Sequence, residues 1–314
     1  MAYSSNLAKT IPSEVTMNAL MKGLTHGLKV MTVAGCLLGG TAWSGEPQPI
    51  RIGWVAWPDA EISAKLAAYA IEQQLQRPVK LVMADIGIQF KAMESGAIDF
   101  IPMVWLPTTH KGYWDKYQDK LEDLGVLYEG RIGWTIPDSI PRETLSSIAD
   151  LNKPEVREKL RGTILGPEPG TGQSTLSEKA IEVYGITGYK LVSSSGAAEV
   201  AQFARETERG RWSLLNGWNP HWMFAKWKLR YLDDPKGVFG STEQVHVIGR
   251  PGFREAEPAV AAFLKNYKLP LPQLEALLLQ AKDSSADAAV KAYYAANKPT
   301  FDAMFAPQAT AATQ

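Results

Sequence analysis

Tryptophan is the residue whose placement carries chemistry in this chain. Trp57, Trp105 and Trp218 each fall where a short apolar run ends, and each is followed by turn chemistry: Pro58-Asp59, Leu106-Pro107 and Asn219-Pro220. In open α/β sheets the carboxyl ends of strands border the ligand crevice, so rings at such ends can offer their faces to a ligand. Any one of them could instead fill a core, the usual place for so large an apolar side chain. The second feature is Pro169-Gly170-Thr171-Gly172-Gln173-Ser174, which leads into a helical pattern at Leu176, Ala180, Val183 and Tyr184. A glycine-rich lead into a helix presents free N–H groups and the positive end of the dipole, and so suits an anion. A later helix start, with Thr175 and Glu178 as a capping box, would leave the Gly172 and Gln173 amides in a loop.

Signals for catalysis are missing. The glycine-rich stretch has Gly172-Gln173-Ser174 where a phosphate loop needs Gly-Lys-Ser/Thr, and Pro167 where its first glycine belongs. No histidine pair has zinc spacing and no GxSxG elbow is present. Cys36 is the only cysteine, which removes thiol nucleophiles and thiolate metal sites from the rest of the chain. The expectation is a binding protein with no catalytic residue, metal or cofactor. Lys plus Arg equals Asp plus Glu at 33 each, so net charge steers the chain toward neither nucleic acid nor an anionic membrane.

These residues need elements to hold them, and the apolar pattern supplies two series. Strands are expected over 50–56, 79–84 and 98–105, with helices over 60–76 and 88–95 between them. The second series has strands over 163–165, 189–193 and 212–216, a helix stopped by Gly185 and another over 196–207. Short extended stretches at 130–137 and 244–250 read as crossovers, and the chain from Glu257 onward reads as helical. Alternation at these spacings predicts βαβ units and parallel sheet. The 314 residues suffice for two such lobes, the second inserted into the first: 45–135 with 247–314, and 136–246.

The first 44 residues read as a secretory signal peptide. Lys22 and Lys29 precede an apolar run over 30–38 that is too short to span a bilayer, and Ala42 and Ser44 supply small residues before Gly45. Met17 or Met21 is a candidate start. A second reading takes Val33-Ala34-Gly35-Cys36 as a lipoprotein box that would anchor the chain at Cys36. Either reading places the mature protein in the periplasm, without a disulfide.

Five segments resemble the glycine betaine/proline betaine/choline substrate-binding proteins of ABC transporters: VAWPDAEIS (55–63), VWLPTTHKGYWDKY (104–117), ILGPEPGTGQS (164–174), SSSGAAEV (193–200) and GWNPHWMFAKWKLRYLDDPK (217–236). WLPTTH and GWNPHW are the specific ones, and the segments spread over nearly all of the mature chain. The resemblance implies an α/β fold of the type II periplasmic-binding-protein kind, with two lobes joined by two crossover strands and the ligand in the cleft between them. It implies a cage of Trp57, Trp105 and Trp218 for a quaternary ammonium group. It further implies that His110 and the backbone amides of Gly172 and Gln173 hold the ligand carboxylate.

The physics agrees with that carry-over. A trimethylammonium group has no N–H to donate, whereas ring faces attract it at roughly 0.5–2 kcal/mol per contact. His110 would serve as a donor, more strongly if protonated, or else as a loop-capping histidine. Trp54 and Trp134 either enlarge the cage or pack in the core, and His221 reads as structural. The function implied is that of a monomeric component of an importer, working with a membrane permease and its ATPase. Alternatives are a choline- or carnitine-specific protein of the same type, and a ligand sensor for a membrane receptor.

Overall fold

The computed structural model of this chain describes residues 48–306. The expected signal peptide, with Met17, Met21 and Cys36, lies outside the described residues. The first set of units runs β1 (Ile50–Trp54), α1 (Pro58–Leu75), β2 (Val79–Met83), α2 (Ile86–Glu94), β3 (Phe100–Leu106) and α3 (Lys111–Tyr117). β1 pairs in parallel with both β2 and β3. Every residue of β3 is buried, as expected of a strand covered on both faces. α1 carries Pro58 in its first turn, where the missing N–H costs nothing. It buries Ile62, Leu66, Ala70 and Ile71 along one side.

The chain then enters β4 (Glu122–Pro137), followed by a 3-10 turn over Ile148–Asn152 and α4 (Pro154–Lys159). The second set of units is β5 (Thr163–Gly166), α5 (Gly172–Val183), β6 (Lys190–Ser193), α6 (Gly196–Glu208), β7 (Leu215–Asn219), α7 (Trp222–Lys226) and β8 (Leu229–Tyr231). β5 pairs in parallel with β6 and β7. The chain returns to the first set through β9 (Glu243–Gly249). It ends in α8 (Phe253–Ala256), α9 (Pro258–Asn266), α10 (Leu271–Asp283), α11 (Ala286–Ala296) and α12 (Lys298–Phe305), the last three of which lie against α1.

The strand order is β2-β1-β3-β9-β4-β7-β5-β6, with β8 on the far part of β4. β4 is the hinge of this order. Its early residues pair with β9, Arg131 to Thr135 pair with β7, and Thr135 to Pro137 pair with β8, all antiparallel. One strand therefore serves both sets of units, and the extended stretch expected at 130–137 is only its far end.

The strand expected at 212–216 lies instead at Leu215–Asn219. The apolar lead-in Trp212 draws the pattern early, and Asn216 and Gly217 interrupt it. Inside the fold Asn216 is satisfied, accepting from Ser177 Oγ at 2.5 Å and donating to the Leu165 carbonyl at 3.1 Å. Trp218 and Trp105 consequently sit within strands, opposite Ile132 and Val245, and only Trp57 lies past a strand's end, at the N-cap of α1.

Candidate ligand-binding site

The three tryptophans arrive from different elements and line one cavity. Trp57 comes from the start of α1, Trp105 from β3 and Trp218 from β7. Trp105 lies directly on the backbone of Gly130. A Cβ there would stand 2.4 Å from the ring, so only glycine lets the indole settle. Tyr128 meets the same ring edge-on at 6.1 Å between centroids. The space they border is tight, a cavity of about 30 Å³.

Asp59 was not among the residues expected in the site, yet it lines this cavity. It occupies the first turn of α1 and is 1% exposed. One carboxylate oxygen accepts from the Trp218 indole N–H at 2.9 Å, the other from the Tyr128 hydroxyl at 2.7 Å. Burial pushes its pKa up, and these hydrogen bonds oppose the rise. Trp57 has a comparable partner: its indole N–H donates to Glu168 Oε1 at 3.1 Å, in the loop between β5 and α5. The available sequence signals were an acid two residues after Trp57 and another within the glycine-rich segment, and neither specifies a partner.

The opposite wall is the beginning of α5. Thr171 caps that helix, its side chain accepting from the Ser174 N–H at 3.1 Å, so Gly172 and Gln173 open the first turn. The alternative start at Thr175 does not form; its hydroxyl donates to the Thr171 carbonyl at 3.2 Å instead. First-turn amides have no intrahelical carbonyl to bond. Gly172 also lies against the first set of units, where a Cβ would come within 2.0 Å of the Thr109 carbonyl oxygen.

His110 lines the cavity at the N-cap of α3. Its Nδ1 accepts from the Trp105 backbone N–H at 2.9 Å, which leaves the proton of the neutral ring on Nε2. Burial pushes its pKa down to about 3. Burial therefore favours the neutral ring, with Nε2–H as its donor, and the stronger protonated form weighed from the sequence is disfavoured. Its loop is pinned by buried Glu243, which accepts from the backbone amides of Thr108 and Thr109 at 2.8 Å each and from the Thr109 hydroxyl. The ring lies nearly parallel to Trp57, at 6.1 Å and 12°.

All six residues singled out from the sequence thus border one space, namely Trp57, Trp105, His110, Gly172, Gln173 and Trp218. Trp54 and Trp134 do not line it. Trp134 is fully buried, donates to Ser177 Oγ at 3.1 Å and packs on Phe239, while Ile132 from the same strand faces the cavity. His221 caps α7, its Nδ1 accepting from the Met223 N–H at 3.0 Å, and meets Trp218 edge-on. His246 pairs with Asp123 at 2.9 Å.

A curled α/β sheet split between two sets of units, with a cavity where they meet, is the type II periplasmic-binding-protein architecture. Residues 48–296 match the family described as the substrate binding domain of the ABC-type glycine betaine transport system, and the chain belongs to that family. Its members are extracytoplasmic substrate-binding proteins of transporters, not enzymes. A glycine betaine/carnitine transport binding protein of Listeria monocytogenes is 32% identical over 133 residues, 42% of this chain and 44% of that relative. The aligned part thus spans less than half of that relative's length.

Among solved structures, lactococcal OpuAC, in its closed conformation complexed with glycine betaine, is 27% identical with a TM-score of 0.77. The match covers 83% of this chain and all of that one. The glycine betaine, L-proline-binding protein ProX of Borrelia burgdorferi is 24% identical at the same TM-score, over 83% of this chain and 97% of its own, and shares the fold.

Proposed function

We propose that this protein is the periplasmic substrate-binding component of an ABC importer and captures glycine betaine or a close betaine. The observation that carries this reading is the joining of three indoles and the first turn of α5 around one tight cavity. The trimethylammonium group would lie among the faces of Trp57, Trp105 and Trp218. The carboxylate would accept from Nε2–H of His110 and from the amides of Gly172 and Gln173. The two sets of units would act as lobes, 45–135 with 247–314 and 136–246, closing on the ligand because neither completes the cage alone. A membrane permease with its ATPase would then receive the ligand from the closed monomer, which itself would carry out no catalytic step.

A second reading, choline, is favoured by Asp59, an acceptor in the cavity wall to which a ligand hydroxyl could donate. Titration calorimetry of the mature chain with glycine betaine, choline and proline separates the two. Micromolar glycine betaine with little proline binding is the expected result. Tight choline without betaine would keep the cage and remove the carboxylate site, and no binding of either would end the proposal. The His110→Ala variant should lose about tenfold in glycine betaine affinity and less in choline affinity, since only the first has a carboxylate for it to hold.

A further inference from the structure

Two cage rings are each held at the indole N–H by a carboxylate from the opposite set of units. Trp57, from the first set, donates to Glu168 of the second; Trp218, from the second, donates to Asp59 of the first. These bonds cross from one set of units to the other, so parting the sets would break both and bringing them together would make both. Glu168 does not line the cage cavity itself; it faces a neighbouring space between Trp57 and Tyr113. Its other oxygen, Oε2, is buried without a hydrogen-bond partner among the described residues. Among the described residues its carboxylate is thus held on one side, by the Trp57 indole. His110 lies parallel to the Trp57 face, so the N–H bond fixes the remaining rotation of that ring about the stack.

We propose that Glu168 is a positioning residue, one half of a reciprocal indole–carboxylate clamp with Asp59 that ties cage assembly to cleft closure. Accepting from the indole N–H, each carboxylate sets the angle of a ring face and polarises that ring, making its face more attractive to a cation. Ligand and clamp then favour the same closed state, and the clamp slows escape more than it speeds capture. This inference rests on the cation-binding reading of the cage.

The test is a double-mutant cycle in the mature chain, with glycine betaine affinity from calorimetry and dissociation rates from stopped-flow tryptophan fluorescence. Glu168→Ala should weaken binding by about tenfold, nearly all of it in a faster dissociation rate. Glu168→Gln keeps an oxygen for the indole N–H and should stay within about threefold. Trp57→Phe keeps a ring and removes the donor, so adding Glu168→Ala in that background should change nothing further. A Glu168→Ala affinity unchanged from wild type, or an equal loss with and without Trp57→Phe, would overturn the clamp.

A wild-type chain that binds neither glycine betaine nor choline would sink the functional reading, and the clamp is then read without ligand. In protein carrying isotope-labelled tryptophan, the indole N–H resonance missing from Trp57→Phe should shift in Glu168→Ala and hold in Glu168→Gln. A resonance indifferent to both substitutions, in a chain that small-angle scattering shows to be closed, rejects the bond.

Discussion

The two ends of the cavity are made of different material. The wall proposed for the cation is built of side chains: three indoles, with Asp59 and Glu168 behind two of them. The wall proposed for the carboxylate is mostly backbone, the opening turn of α5, with His110 as its one ring and that ring held neutral. A side-chain wall shows in the composition and fails by truncation. A backbone wall is nearly silent in the composition and fails when the chain's path or its close approaches change.

The largest effect should come from Trp218→Ala. It removes a ring and leaves the buried Asp59 with one donor fewer, so glycine betaine and choline should both weaken by about a hundredfold. Thermal unfolding should shift down as well, because deleting a buried tryptophan costs about 3–5 kcal/mol. Affinities that survive this substitution would place the cation elsewhere.

Gly172→Ala probes the backbone wall. The new Cβ would stand 2.0 Å from the Thr109 carbonyl oxygen and hold the cleft open. Betaine affinity should fall by at least about tenfold, while the unfolding midpoint is held, since alanine favours a helix over glycine by about 1 kcal/mol. Unchanged calorimetric affinity would mean that Thr109 and Gly172 do not meet in the bound form.

The smallest effect on ligand affinity, read instead in stability against pH, concerns Glu199, on α6. It is fully buried; Oε1 accepts from the Asn216 N–H at 2.9 Å, and Oε2 has no partner among the described residues. Burial, with a smaller contribution from the charge of Glu168, pushes its pKa up to about 8 from the ordinary 4.5. The fold therefore prefers the protonated form. The stability this carries is complete below about pH 4.5 and is lost as pH rises toward about 8. Glu199→Gln should flatten that decline in urea unfolding across this window, and an unaltered slope would assign it to other groups.

Much of this architecture was legible because local patterns report local structure. The all-buried β3 and the ends of α1 and β2 lie within two or three residues of where apolar periodicity puts them. β7 was misplaced because its polar Asn216 is satisfied by Ser177 and by the Leu165 carbonyl, partners that a strand pattern does not include. The start of α5 was ambiguous because Thr171 and Thr175 are both competent caps, and the choice fell to Thr171, whose helix places Gly172 against Thr109.

By itself the sequence set three tryptophans at the ends of apolar runs and a glycine-rich lead before a helix, and its resemblance to a family of binding proteins made these, with His110, the six candidates. Tertiary structure alone decided that Ile132 and not Trp134 faces the cavity, that His110 is neutral, and which carboxylate holds which indole. The reason is separation along the chain. Trp57 and Glu168 lie 111 residues apart, and Asp59 and Trp218 lie 159 apart. Periodicity and capping act over a few residues, whereas contacts at such separations, and the burial that shifts a pKa, exist only once both sets of units have closed around one strand, β4.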